Sequence, residues 1–504
     1  MKLVARLLAC CLLTGTVFFS GCQNNDLDFV TGDSVVLQFS TDTIMFDTVF
    51  TDRGSATQIM KVYNPSADAV SIDRITVAGA TGVRYNFNIN GTPGPEARDV
   101  VIFGNDSIFV FVEVRVDPTA PENVSPFIAE DRLIFETGIN KEEVVLVAFG
   151  QNANYLNGFR RGQLALLSCQ GGTFTLPTDL PTVIFGSLLV EDCTLRATAG
   201  TKIYFHGGIQ RNTEFFGPGF FNDGILYTLP TGKIEFVGTL DNPVVLSTDR
   251  LEERFRDDPA KYQGIFLGPE SRGNRIEYTE IFNSIAGVRL DSLAEVSISN
   301  STIAYTGGPA VVGFQSDVTI TNSLFHSNFG NAVQFQQGGN LRMDHVTVAN
   351  YGVDASALFL RNFSLDEEDE VRGAAAMNAT IRNSILIGSR SGELVLQDLF
   401  DGEEAGAFEI SVTNSVVRTD NDFLEAQGGL FADFYGRICG NCVNATAADP
   451  LFRRVDEDDY RLDSLGVARN VGSYLPLLPL DIRQVVRDRD STDAGAFQFV
   501  PGEE

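Results

Sequence analysis

Acid–base chemistry in this chain would have to be assembled from few parts. Its 3 histidines are His206, His326 and His345. His206 closes an apolar run and precedes Gly207-Gly208, which reads as a turn. His326 follows Phe325 just past a strand, with no partner evident nearby. His345 stands where sister segments carry asparagine, so it reads as a packed structural member rather than a base. Beyond residue 160 the lysines are Lys202, Lys233 and Lys261, in three separate segments. Abstracting a proton beside a carboxylate needs a base and a cation held together, and no single segment supplies both. Two carboxylates, Glu295 and Asp317, each open a short segment of alternating apolar residues. If those segments stack, the pair is too close for an intervening hydrolytic water, which needs about 6.5–9.5 Å. A shared Ca²⁺ is then the chemistry open to it; polar residues opening strands is the plainer role. No other cofactor or metal is expected.

The elements that would position these groups are repeats. From about residue 160 glycines multiply and a unit of roughly 22 residues recurs. Clear copies are Val296-Ser297-Ile298-Ser299-Asn300-Ser301, Val318-Thr319-Ile320-Thr321-Asn322-Ser323 and Leu341-Arg342-Met343-Asp344-His345. Later copies are Ala379-Thr380-Ile381-Arg382-Asn383-Ser384 and Ile410-Ser411-Val412-Thr413-Asn414-Ser415. Apolar residues at i and i+2 imply strands, and self-similarity at this short period implies a solenoid. Strands stacked at about 4.8 Å put like residues over like. Asn300, Asn322, His345, Asn383 and Asn414 are therefore expected to form an inward ladder, amide bonded to amide from coil to coil. Two outward columns follow: Ser297, Thr319, Arg342, Thr380 and Ser411, and Ser299, Thr321, Asp344, Arg382 and Thr413. Thr319, Thr321, Arg342 and Arg382 are the candidates for glycan contact, although such residues also suit any solvated strand face. Charged excursions at Asp249–Lys261, Asp366–Glu370 and Asp456–Asp459 are expected as acidic loops of the kind that line a groove on a solenoid.

These repeats resemble the pectate-lyase-type right-handed parallel β-helix. Ala199-Gly200-Thr201-Lys202-Ile203-Tyr204-Phe205 and Asp241-Asn242-Pro243-Val244 resemble its early coils. Asp449-Pro450-Leu451-Phe452, Asp459-Tyr460-Arg461-Leu462 and Asp493-Ala494-Gly495-Ala496-Phe497 resemble the closing segment of bacterial β-helix proteins. The expected fold class is all-β: a right-handed parallel β-helix solenoid over 153–500, preceded by a β-sandwich over 33–152. Within the latter, Ile108–Val116 alternates apolar and polar residues, and short strands broken by Gly, Asn, Pro and Asp argue for an antiparallel sandwich. The stretches from Asp47-Thr48-Val49 through Val62-Tyr63-Asn64 resemble immunoglobulin-like surface modules, whose expected part is a spacer.

The amino terminus fixes an expected compartment. Lys2 and Arg6 precede an apolar run from Leu7 to Phe19, then Ser20-Gly21-Cys22. A core of about 7–15 apolar residues before small residues reads as a secretory signal, too short to span a bilayer. Cys22 in that position resembles a bacterial lipobox cysteine, so residues 1–21 are expected as signal peptide and 22–32 as a tether carrying acyl chains at Cys22. Gln23-Asn24-Asn25-Asp26-Leu27-Asp28 resembles the export signal of Bacteroidota surface lipoproteins. The expected location is the outer membrane, facing the exterior, with the periplasmic face as the alternative. Cys169, Cys193, Cys439 and Cys442 remain as an even set suited to disulfides in an oxidising compartment. Formal charge is −29, which excludes nucleic acid as a partner because like charge repels.

Fold alone does not define activity. The expected function is that of a lipid-anchored surface protein, non-enzymatic, contacting glycan or serving adhesion. The alternative is a polysaccharide lyase or glycoside hydrolase acting on an acidic polysaccharide. Neither the oligomeric state nor a catalytic residue follows from the sequence.

Overall fold

The computed structural model describes residues 29–30, 35–50, 55, 57–79, 83–116, 127–156, 164–210, 221–366 and 368–503. The expected signal peptide, 1–21, and Cys22 lie outside the described residues, as does nearly all of the expected tether. The chain divides into two compact units, 1–152 and 153–504. No helix among the described residues is long and apolar enough to cross a membrane.

The first unit is two sheets over one core. One sheet orders Phe29–Val30, Ala69–Val77, Phe127–Thr137, Asn140–Gln151 and Thr43–Phe50, with Glu96–Ile102 also on Ala69–Val77. The other orders Gln38–Phe39, Gln58–Tyr63, Ser107–Val116, Val83–Ile89 and Thr92–Gly94. Strand Ser107–Val116 alternates strictly, so Ile108, Val110, Val112, Val114 and Val116 face the core while Phe109, Phe111, Glu113 and Arg115 face out. The pairing is not purely antiparallel as the sequence suggests. Thr43–Phe50 runs parallel to Asn140–Gln151, and Phe29–Val30 parallel to Ala69–Val77. Alternation reports which face is buried and is blind to strand direction.

The second unit is a parallel β-helix. Each coil supplies three strands, and the register is column over column. Val296, Val318, Leu341, Ala379 and Ile410 stack, as do Ile298, Ile320, Met343, Ile381 and Val412. These residues and Ile303, Phe325, Val348 and Leu386 of another face fill one continuous interior. A second, smaller core lies outside the helix. Leu324, Ala349, Ile385 and Ile387 face away from the interior and are covered by Leu451, Phe452, Tyr460, Ala494 and Phe497 of the closing segment.

The ladder differs from the expectation in one physical respect. Asn300, Asn322, His345, Asn383 and Asn414 occupy equivalent corners, all with φ between 45° and 56°. Asparagine tolerates this left-handed backbone because its short polar side chain bonds locally. That geometry turns most of the side chains toward the closing segment rather than to one another. Asn322 Nδ2 donates to Leu480 O (2.9 Å), Asn383 Nδ2 to Ser473 O (2.7 Å) and Asn414 Nδ2 to Val471 O (3.2 Å). Only Asn383 and His345 bond coil to coil, at 2.9 Å. The inward spine is instead the next residue, serine. Ser301 N donates to Ser323 Oγ and Ser384 N to Ser415 Oγ, while each hydroxyl donates to the carbonyl two residues back. A serine is small enough to fit inside the corner and supplies both a donor and an acceptor.

Disulfides join Cys169 to Cys193 and Cys439 to Cys442.

Candidate functional site

Outward residues on the face made by Lys202–His206, Val244–Thr248, Thr279–Phe282, Thr302–Thr306 and Leu324–Asn328 form the floor of a groove. One column runs Val245, Glu280, Thr302, Leu324; beside it Phe282, Ala304 and His326 are in register, and Tyr204 pairs with Ser247. Beyond Leu324 and His326 the columns continue into Thr347 and Ala349, in the part of the face that the closing segment covers. The groove is the uncovered part, with a volume of about 810 Å³.

Two of the charged excursions wall it, from distant parts of the unit's sequence. The first carries Arg250, Glu253, Arg256 and Asp257. It is pinned by Asn283, a buried amide at a corner of φ 65°. Asn283 Nδ2 donates to Arg256 O (2.8 Å) and Asp258 O (2.9 Å), and its Oδ1 accepts from Ser247 Oγ (2.7 Å). The Arg250 guanidinium lies 4.2 Å over the Phe255 ring and bonds Glu252, contacts that tie the loop to itself. The second wall is the turn Asp456-Glu457-Asp458, between the paired strands Phe452–Arg454 and Asp459–Leu462. The third excursion, Asp366–Glu370, belongs to a separate hairpin, Phe363–Leu365 with Val371–Ala374.

At the junction of floor and second wall sits a polar and aromatic cluster. His326 lies within its strand and is buried, Nδ1 3.2 Å from Ser327 Oγ and 3.5 Å from Asp458 Oδ1. The rings of Tyr305 and Tyr460 pack on it, centroids 5.4 and 4.9 Å away. Tyr305 donates its phenol to Asp458 Oδ2, and Tyr460 donates to Oδ1 at 3.4 Å. Burial pushes His326 down to about 4, against the opposing pull of Asp458, so the imidazole is neutral at physiological pH. Burial and the Asp458 carboxylate push both phenols up, and burial raises Glu280. A neutral imidazole, a carboxylate and two phenols on an aromatic floor can donate and accept hydrogen bonds while stacking on an apolar ring face.

The residues singled out from sequence lie elsewhere. Thr319 and Thr321 are outward on a different face, in register with Arg342 and Asp344. Arg342 and Arg382 both bond the buried Asp344 carboxylate, at 2.8 Å and 2.6 Å through Nε. That engagement leaves these two guanidiniums less available to a ligand than a free arginine row. Glu295 and Asp317 are directly adjacent, but Asp317 accepts from Asn340 Nδ2 (2.6 Å) and lies 3.6 Å from Arg272. No group of three or more His, Cys, Asp or Glu among the described residues is placed to hold a metal ion. His206 bonds Asp249 at 2.6 Å and stacks on Phe185; His345 is buried in the corner column. Sequence reasoning passed over Tyr305 and Tyr460 and gave His326 no partner. The one usable signal was the acidic run at 456–459.

The family described as "Right handed beta helix region" matches residues 254–423, and the fold is that of a right-handed parallel β-helix. No curated protein matches the chain. Among solved structures, the catalytic unit of a GH87 alpha-1,3-glucanase from Streptomyces thermodiastaticus strain HF3-3 is 10% identical, with 71% of this chain and 73% of that chain covered and a TM-score of 0.29. The complex of XylC with xylose is 10% identical, with 91% and 88% covered and a TM-score of 0.32.

Proposed function

We propose that this protein is a lipid-anchored cell-surface protein, raised by an immunoglobulin-like spacer, whose β-helix holds an extended neutral glycan in the groove of His326, Tyr305 and Asp458. The observation that carries this reading is the groove itself: open at the surface, floored by aromatic and small side chains, and edged by hydrogen-bonding groups that the fold already orients. Successive coils present equivalent positions at about 4.8 Å, a repeat that suits a chain of sugars lying along the helix axis. The lining carries Glu253, Asp257, Glu280, Asp456, Glu457 and Asp458 against Arg250 and Arg256. That excess of carboxylates repels a polyuronate, so a neutral polymer fits better than the acidic one suggested by sequence.

Titration calorimetry of the lipid-free protein with neutral hexasaccharides (cellohexaose, xylohexaose, mannohexaose, laminarihexaose) tests it. Binding of one of them, weakened about tenfold or more by Tyr305→Ala, is the expected result. Binding of hexagalacturonate and of no neutral sugar refutes it.

Hydrolysis is the second reading, and a specific observation favours it. Glu280, raised by burial, lines the same groove as the Asp458 carboxylate, and a carboxyl raised by burial is suited to the general-acid role. New reducing ends from a bound neutral hexasaccharide, absent in Glu280→Gln, would establish it; binding without cleavage excludes it.

A further inference from the structure

The sandwich unit carries an exposed face that a spacer does not need. Across the outward side of its second sheet, Ile59 stands opposite Phe111 and Phe111 opposite Asn88, which in turn faces Pro93. One step along, Glu113 stands opposite Asn86. Ile59, Phe109 and Phe111 are 58%, 45% and 39% exposed, although outward positions on a solvated strand ordinarily take polar residues. The rings of Phe109 and Phe111 stack at 6.3 Å, and Lys61 Nζ lies 4.7 Å over Phe109.

This face is also concave. The hairpin strand Thr92–Gly94 forms a rim, and its close approach needs glycine at 94, because a Cβ there would meet the Phe87 ring at 2.8 Å. Between rim and Phe111 lies a cleft of about 680 Å³, lined by Thr57, Asn86, Asn88, Pro93, Phe111 and Glu113. Among the described residues, neither Asn86 nor Glu113 spends its side chain on a hydrogen bond. Asn88 uses only Oδ1, accepting from Gly91 N at 3.0 Å.

We propose that this cleft is a second carbohydrate site, taking a neutral pyranose with its apolar face on Phe111 and its hydroxyls on Asn86, Asn88 and Glu113. An aromatic floor answers the carbon–hydrogen face of a sugar, and two amides with a carboxylate answer the equatorial hydroxyl edge. The cleft has the volume of a small-ligand pocket, which runs to about 300–1,000 Å³. The site is separate from the β-helix groove and does not depend on it.

The test uses the lipid-free full chain and the four neutral hexasaccharides, with Phe111→Ala and Asn86→Ala. Both positions are on the surface of the sheet, and the melting temperature of each variant confirms folding. The expected result is a binding component that survives Tyr305→Ala and weakens about tenfold or more in Phe111→Ala and measurably in Asn86→Ala. If no hexasaccharide shows a component sensitive to Phe111 and Asn86, the proposal is overturned. It is equally overturned if sedimentation finds a dimer that Phe111→Ala dissociates, since the face then belongs to a second copy. Loss of the Tyr305-sensitive component alone bears on the groove and leaves this cleft standing.

Discussion

Glu393 offers a sharp test of the packing argument. It is fully buried at a corner of the β-helix, where Oε2 accepts from Ala357 N (2.9 Å) and Oε1 from Arg390 N (2.7 Å). Burial pushes its carboxyl up to about 7 from 4.5, against the two backbone donors and the nearby Arg418 and Arg390. A raised carboxyl favours the protonated folded state. Its contribution is fully present below the unfolded value and is lost as pH climbs through about 7. The gap corresponds to about 3 kcal/mol at 1.36 kcal/mol per unit, of which about 2.5 kcal/mol falls between pH 5 and pH 8. Glu393→Gln removes the titration but presents an NH₂ to one backbone N–H, at a cost of about 1 kcal/mol. The two proteins should therefore be about equally stable at pH 5, with the variant ahead by about 2 kcal/mol at pH 8. Guanidinium unfolding of both at each pH gives the difference directly, and subtraction cancels every other group that titrates in that window. If the variant loses equally at pH 5 and pH 8, the two N–H donors hold Glu393 as a carboxylate and the desolvation argument fails.

Three further outcomes follow from the same structure. Asn383→Ala loses the bonds to Ser473 and His345 and forces alanine into a left-handed corner. We expect a loss of about 2–4 kcal/mol and faster proteolysis within 471–498, read by mass spectrometry. The Cys169–Cys193 disulfide closes 24 residues and the Cys439–Cys442 disulfide only 3. Loop-closure entropy assigns about 3 kcal/mol to the first and about half that to the second, so Cys169→Ser/Cys193→Ser should lower the unfolding midpoint more than Cys439→Ser/Cys442→Ser. Asp344→Ala strips Arg342 and Arg382 of their buried carboxylate partner. We expect a loss of about 1–2 kcal/mol, because both guanidiniums stay partly exposed and are rehydrated, with the calorimetric signal at the groove unchanged, because these arginines stand on another face.

The solenoid was legible because it is periodic. Alternation within Val296–Ser299 or Val318–Thr321 states which side chains face in, and a 22-residue spacing states that the copies stack; both are properties of neighbours along the chain. The corner column was legible for the same reason, since one backbone conformation recurs at Asn300, Asn322 and Asn383. What those asparagines bond was not legible, because their partners Leu480, Ser473 and Val471 come from a closing segment with no repeat of its own. The groove was hidden in the same way. Tyr305 and Asp458 are 153 positions apart, and a single contact between distant segments leaves no period in the sequence. Sequence therefore determined the coil, its inward residues and its even set of cysteines. Only tertiary structure decided which outward face stays uncovered, because that depends on where the closing segment packs over Ala349, Ile385 and Ile387, and so on which side chains remain open to a ligand.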